Sequence, residues 1–66
     1  MDNIDKLKHL LEHWIEHNEE HAANYLLWAD KAKDFEKPEL EAILREIAGE
    51  TKRLDDLFKL ALKECD

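Results

Sequence analysis

The chain has 66 residues, 41% of them charged and 44% hydrophobic, with a formal net charge of −7 when histidine is neutral. An acidic surface excludes nucleic acid and anionic membranes as natural partners, and no apolar run approaches the ~20 residues of a bilayer span, which excludes membrane insertion. Cys65 is the single cysteine, so no disulfide can form within the chain. A domain this small rarely buries enough apolar surface to be comfortably stable alone, which points to self-association, a metal or a larger parent protein. With no signal-peptide pattern, a reducing, cytoplasmic setting is the expectation.

One Gly and one Pro in the whole chain make the composition helix-like. The first helix starts near residue 3, where Asp2 or Asn3 can cap free amides and Asp5 suits the positive end of the helix dipole. From there Ile4, Leu7, Leu11, Trp14, Asn18, His21, Tyr25, Trp28, Ala32 and Phe35 alternate steps of three and four. That spacing predicts a heptad seam, with Ile4, Leu11, Asn18, Tyr25 and Ala32 at a and the others at d. Leu10, Ile15, Ala22 and Ala29 flank the seam, and Leu26 and Leu27 broaden it, so the helix is expected to touch more than one neighbour.

Within this helix histidine recurs at every fourth residue: His9, His13, His17 and His21. Glu12, Glu16 and Glu20 keep the same step. Four residues overshoot a turn by about 40°, so the histidines spiral through about 120° from first to last. His9 is expected to face solvent, His13 the rim, His17 the flank of the seam and His21 the seam itself.

Pro38 sets the break. It disfavours helix in the residue before it and suits the first position of a new one, and Glu39 and Glu41 then fall in a favourable first turn. The expected architecture is a single all-α domain, an antiparallel two-helix hairpin. Its first helix runs over about 3–35, its turn over about 35–38 and its second helix over about 38–64. The second helix repeats the heptad with Leu40, Leu44, Ile47, Thr51, Leu54, Phe58, Ala61 and Cys65, widened by Ile43, Leu57 and Leu62. Two such hairpins are expected to pair as a homodimer or higher homo-oligomer, forming a four-helix bundle.

Folding at residue 36 or 37 brings the polar members of both seams to one level. Asn18 and His21 meet Thr51, with Asp55 and Glu50 at the edges. Enclosed polar atoms require hydrogen bonds or an ion. His17 and His21 present two imidazoles from successive turns, and two hairpins double the set. The leading expectation is therefore a divalent transition-metal site, zinc or nickel, on His17 and His21, with His13 and an acidic residue as helpers. It would serve metal handling, sensing or structural clamping. The alternative is a non-enzymatic oligomerisation or interaction module whose polar layer of His21, Asn18, Thr51 and Asp55 is purely structural, as a buried Asn is in coiled coils.

Enzyme readings fail on the residues. His13-Trp14-Ile15-Glu16-His17 spells a zinc-protease signature, but a four-residue repeat writes three overlapping copies of it unaided, and a hairpin lacks a substrate cleft. A di-iron carboxylate bundle needs a glutamate three residues before a histidine on two helices; no histidine here has one. There is no serine, no histidine near Cys65 in sequence and no phosphate loop. Trp14, Tyr25, Trp28 and Phe35 are most simply core residues, and Leu26, Leu27 and Leu60 suggest further contact surface.

From His13 to Ala22 the sequence His-Trp-Ile-Glu-His-Asn-Glu-Glu-His-Ala resembles a small domain of uncharacterised prokaryotic proteins, which share a Trp-x-x-His-Asn-x-x-His core on the first helix of a helical hairpin. The resemblance covers about residues 8–30 closely and the second helix as pattern only. It implies that Trp14, His17, Asn18 and His21 form a signature, and it carries no function with it.

Overall fold

The computed structural model describes residues 2–66. Helix α1 runs Asn3–Asp34 and helix α2 runs Pro38–Glu64, packed antiparallel as a hairpin. The Cα frame measures 51 × 15 × 10 Å, so the hairpin is two helices wide and one deep.

Local chemistry sets both ends of α1. The Asp2 carboxylate accepts from the Asp5 amide at 2.8 Å, capping the helix. At the other end, the Lys37 amide donates to the Ala32 carbonyl and the Glu36 amide to the Lys33 carbonyl, each at 3.1 Å. These two bonds make a Schellman motif, whose residue after the cap takes the left-handed conformation. Here that residue is Glu36, with φ of 61°. A side chain is disfavoured there, so Glu36→Gly should raise the thermal midpoint, by about 1 kcal/mol of stability. Calorimetry checks this, and an unchanged or lowered midpoint contradicts it.

Gly49 poses the converse problem. It lies inside α2, exposed, with nothing within 4 Å of where a Cβ would sit. Gly49→Ala should therefore stabilise by about 1 kcal/mol, the propensity difference alone, readable as a higher urea midpoint at unchanged slope.

The packing seam differs from the expected one. The less exposed residues of α1 are Lys8, Leu11, Ile15, Asn18, Ala22, Tyr25, Ala29 and Ala32; those of α2 are Glu41, Leu44, Ala48, Thr51, Asp55, Phe58, Leu62 and Cys65. Both runs keep the alternation of three and four. The a positions from Leu11 onward stand in the seam, with Ile4 exposed at the open end, and e positions join them instead of d. Residue size explains the shift. Among the described residues, Leu11, Ala29, Ala32 and Ala48 are the buried apolar ones, and alanine lets two helices approach closely. Trp14 and Trp28 at d are too bulky for that gap and stay 41% and 50% exposed.

As a result, a second apolar stripe remains uncovered on each helix, at positions d and g. On α1 it holds Leu7, Leu10, Trp14, Trp28 and Phe35; on α2 it holds Leu40, Ile43, Ile47, Leu54 and Leu57, all exposed. In an antiparallel pair of right-handed helices packed through a and e, both d/g stripes turn to the same side. Trp14 still meets the Phe58 ring at a centroid distance of 6.2 Å, at the edge where stripe and seam join. The b positions form the opposite, charged side, where Lys59 of α2 pairs with Glu19 of α1 at 3.2 Å.

Candidate functional site

The middle of the seam is polar and closes on itself. The Asn18 side-chain amide donates to the Thr51 carbonyl at 2.8 Å across the helix pair. The Thr51 hydroxyl turns back to the Ile47 carbonyl one turn earlier, also at 2.8 Å. The first bond ties α1 to α2 at one level and fixes their register.

Asp55 lies beside this pair, 7% exposed. One carboxylate oxygen meets the Lys59 ammonium at 3.0 Å, while the other, Oδ1, is buried without a hydrogen-bond partner. The Lys59 pKa is held above its ordinary 10.5, first by the hydrogen bond to Asp55 and next by that to Glu19. A raised lysine pKa stabilises the fold fully below the unfolded-state value and loses that contribution only as pH rises through the folded-state value. The contribution is thus intact at neutral pH, and the exposed ammonium keeps it small.

The histidines occupy a different surface. All four are exposed. His13, at a c position, points directly away from α2. His17, at g, and His21, at d, turn progressively onto the uncovered apolar face. Successive rings are neighbours but steeply inclined to one another, with centroids 5.0 Å apart and planes at 47° for His13 and His17, and 5.6 Å and 61° for His17 and His21. The His21 ring then lies nearly parallel to that of Tyr25, 6.1 Å away.

The expectation that His21 faces α2 and shares an enclosure with Asn18 is corrected here. His21 follows Trp14 and Trp28 to the outer stripe, for the same reason of bulk, and Asn18 satisfies its amide on Thr51 without it. Among the described residues, no three His, Cys, Asp or Glu side chains are gathered so that they could hold an ion. The hairpin by itself brings Asn18, Thr51 and Asp55 together in the seam. It leaves His13, His17 and His21 on the outside of α1.

Glu50 gains importance that the spacing alone did not give it. It sits at a g position of α2, within the uncovered stripe between Ile47 and Leu54. The Asn18–Thr51 register places it within about two residues, or ~3 Å along the axis, of the level of His21 on the neighbouring helix. Its signal in the sequence was its place as the acidic interruption of the run Leu40, Ile43, Ile47, Leu54 and Leu57. An open groove of about 420 Å³ lies along α2 here, bordered by Ile43, Ile47, Glu50, Thr51 and Leu54.

Among the described residues no helix is long and apolar enough to cross a membrane. No solved structure matches the chain. An uncharacterized protein of Archaeoglobus fulgidus is 34% identical over 59 residues, covering 89% of this chain and 94% of its own length. A family model covers residues 7–65, nearly all of both helices, and by that match the chain belongs to the domain of unknown function family DUF8180.

Proposed function

We propose that this domain is a non-enzymatic self-association module in which two hairpins close their uncovered faces against each other as a four-helix bundle. One observation carries the reading: ten large apolar side chains stand exposed on a single side of a hairpin whose buried apolar residues are one leucine and three alanines. A face of that composition normally marks an interaction surface.

Its dimensions suit a partner of the same kind. The 51 × 15 Å side of the hairpin matches the roughly 800 Å² that each partner contributes to a standard interface. The groove on α2 is bordered by Ile47, Glu50, Thr51 and Leu54, the i, i+3, i+4, i+7 quartet that receives a knob from a facing helix. The acidic residues lie mostly on the outer positions, away from this face.

The Trp-x-x-His-Asn-x-x-His signature fits the same reading. Trp14 and His21 belong to the face, His17 to its rim, and Asn18 to the bond that sets the register beneath it. A second reading, transition-metal binding on His17 and His21 with His13 as a helper, is favoured by the closeness of these rings, which offer imidazoles at successive turns to zinc or nickel.

Light scattering on the eluting peak tests the module. Untagged protein at tens of micromolar, an order chosen for a standard-sized interface, should have twice the 7.9 kDa chain mass. A well-folded species of single-chain mass at that concentration refutes the reading.

A further inference from the structure

We propose that the midpoint of the uncovered face is a divalent transition-metal site completed by a second copy of the chain, with His21 and Glu50 of both copies as its ligands. The inference rests on the self-association above and specifies what its polar centre is for.

The uncovered stripe is close to a palindrome. On α1 its d positions read Leu7, Trp14, His21, Trp28 and Phe35, so tryptophans stand one heptad either side of His21 and the smaller apolar residues Leu7 and Phe35 two heptads away. On α2 the d positions Ile47 and Leu54 stand three residues before and four residues after Glu50, itself at g. The Asn18–Thr51 hydrogen bond brings these two centres to within about two residues of one level. A self-complementary face is what a two-fold interface requires. An axis crossing the helices at this level sets Trp14 against Trp28 of the other copy and Ile47 against Leu54. It also sets the His21 and Glu50 pair of one chain against the same pair of the other.

That arrangement creates a need as well as a site. Two carboxylates and two imidazoles brought together between apolar layers lose water, and the carboxylates repel. A divalent cation among them removes the repulsion and uses the free imidazole nitrogens. Two histidines and two carboxylates are a donor set suited to four-coordinate zinc and to cobalt as its spectroscopic substitute. A single hairpin supplies half the set, in agreement with its lack of a three-ligand group among the described residues.

The test is titration of untagged protein with Zn²⁺ by calorimetry and with Co²⁺ by visible absorption, alongside light scattering. The expected result is one ion per two chains and tetrahedral cobalt bands. His21→Gln and Glu50→Gln should each weaken binding by roughly a hundredfold or more, beyond what an outer-shell change costs, while mass stays that of two chains. His13→Gln should leave affinity unchanged. A two-chain species that takes up no ion overturns the metal site and leaves the module standing. Binding of one ion per chain that survives His21→Gln also overturns it, because the outward histidines then suffice. A folded single-chain mass overturns both.

Discussion

Replacing Leu54 by lysine should convert the two-chain species into single chains. In the lone hairpin Leu54 is 45% exposed at the centre of the apolar face, next to Glu50 and across the level of the Asn18–Thr51 bond. Closing the face removes that exposure in both copies. Fully burying a leucine contributes about 1.5–3 kcal/mol, so covering the 45% still exposed at both sites is worth about 1.4–2.7 kcal/mol. That corresponds to a rise in dissociation constant of about one to two powers of ten. An enclosed ammonium adds a desolvation cost of its own. Leu60→Lys supplies the contrast. Leu60 is 59% exposed, but it occupies a c position on the side of α2 turned away from both α1 and the face, so the same substitution there should leave mass and stability near wild type. Sedimentation equilibrium at several concentrations separates the two variants. Equal behaviour of Leu54→Lys and Leu60→Lys removes the interface from this face. The experiment also links association to folding. A hairpin held by Leu11 and three alanines is marginal, so helicity measured by circular dichroism should fall on dilution together with the mass.

The second large effect concerns the seam. Asp55→Leu should stabilise the hairpin by roughly 1–4 kcal/mol, the range seen when buried ionic groups are replaced by apolar ones. The carboxylate is 7% exposed, has one oxygen without a partner and relies on a lysine that is itself largely in water. A groove of about 320 Å³ bordered by Asn18, Ala22, Leu26, Ala48 and Asp55 gives the larger side chain room, which limits the overpacking that enlarging a seam residue otherwise causes. Lys59→Ala should act in the opposite direction, because it leaves the buried carboxylate with no cation. The opposed signs are the diagnostic. If both variants destabilise, the carboxylate holds the register together with Asn18 and is not a tolerated cost. Chemical denaturation of the two variants, read at equal protein concentration so that association is held constant, decides between them.

The metal question depends on the same geometry. On a lone hairpin His9 and His13 are solvent-facing and His17 and His21 lie on an open face, so any ion they take is a surface ion. Pairing of two hairpins encloses positions d and g, which near the middle of the face are His17, His21 and Glu50, and leaves His9 and His13 in water. This makes His21 and Glu50 sensitive to the state of association while His13 is not. The raised pKa values of Lys8, Arg45 and Lys59 come first from hydrogen-bonded ion pairs with Asp66, Asp30 and Asp55 respectively. They lie off the face and leave its chemistry untouched.

Periodicity by itself determined that this chain is two helices, that Pro38 opens the second, that Ile4, Leu11, Asn18, Tyr25 and Ala32 share one face of the first, and that the polar residues Asn18 and Thr51 meet. Those features follow from local rules: proline geometry, capping, and a step of three and four that admits one helical face. Which second position would accompany a in the seam was not legible, because both d and e carry apolar residues and either choice satisfies the same spacing. Only the packed pair decided it. Ala22, Ala29 and Ala48 let the helix axes come together, whereas Trp14, His21 and Trp28 cannot fit between them. Small side chains therefore hold the hairpin closed, and the aromatic and imidazole side chains are left facing outward, available to a second molecule.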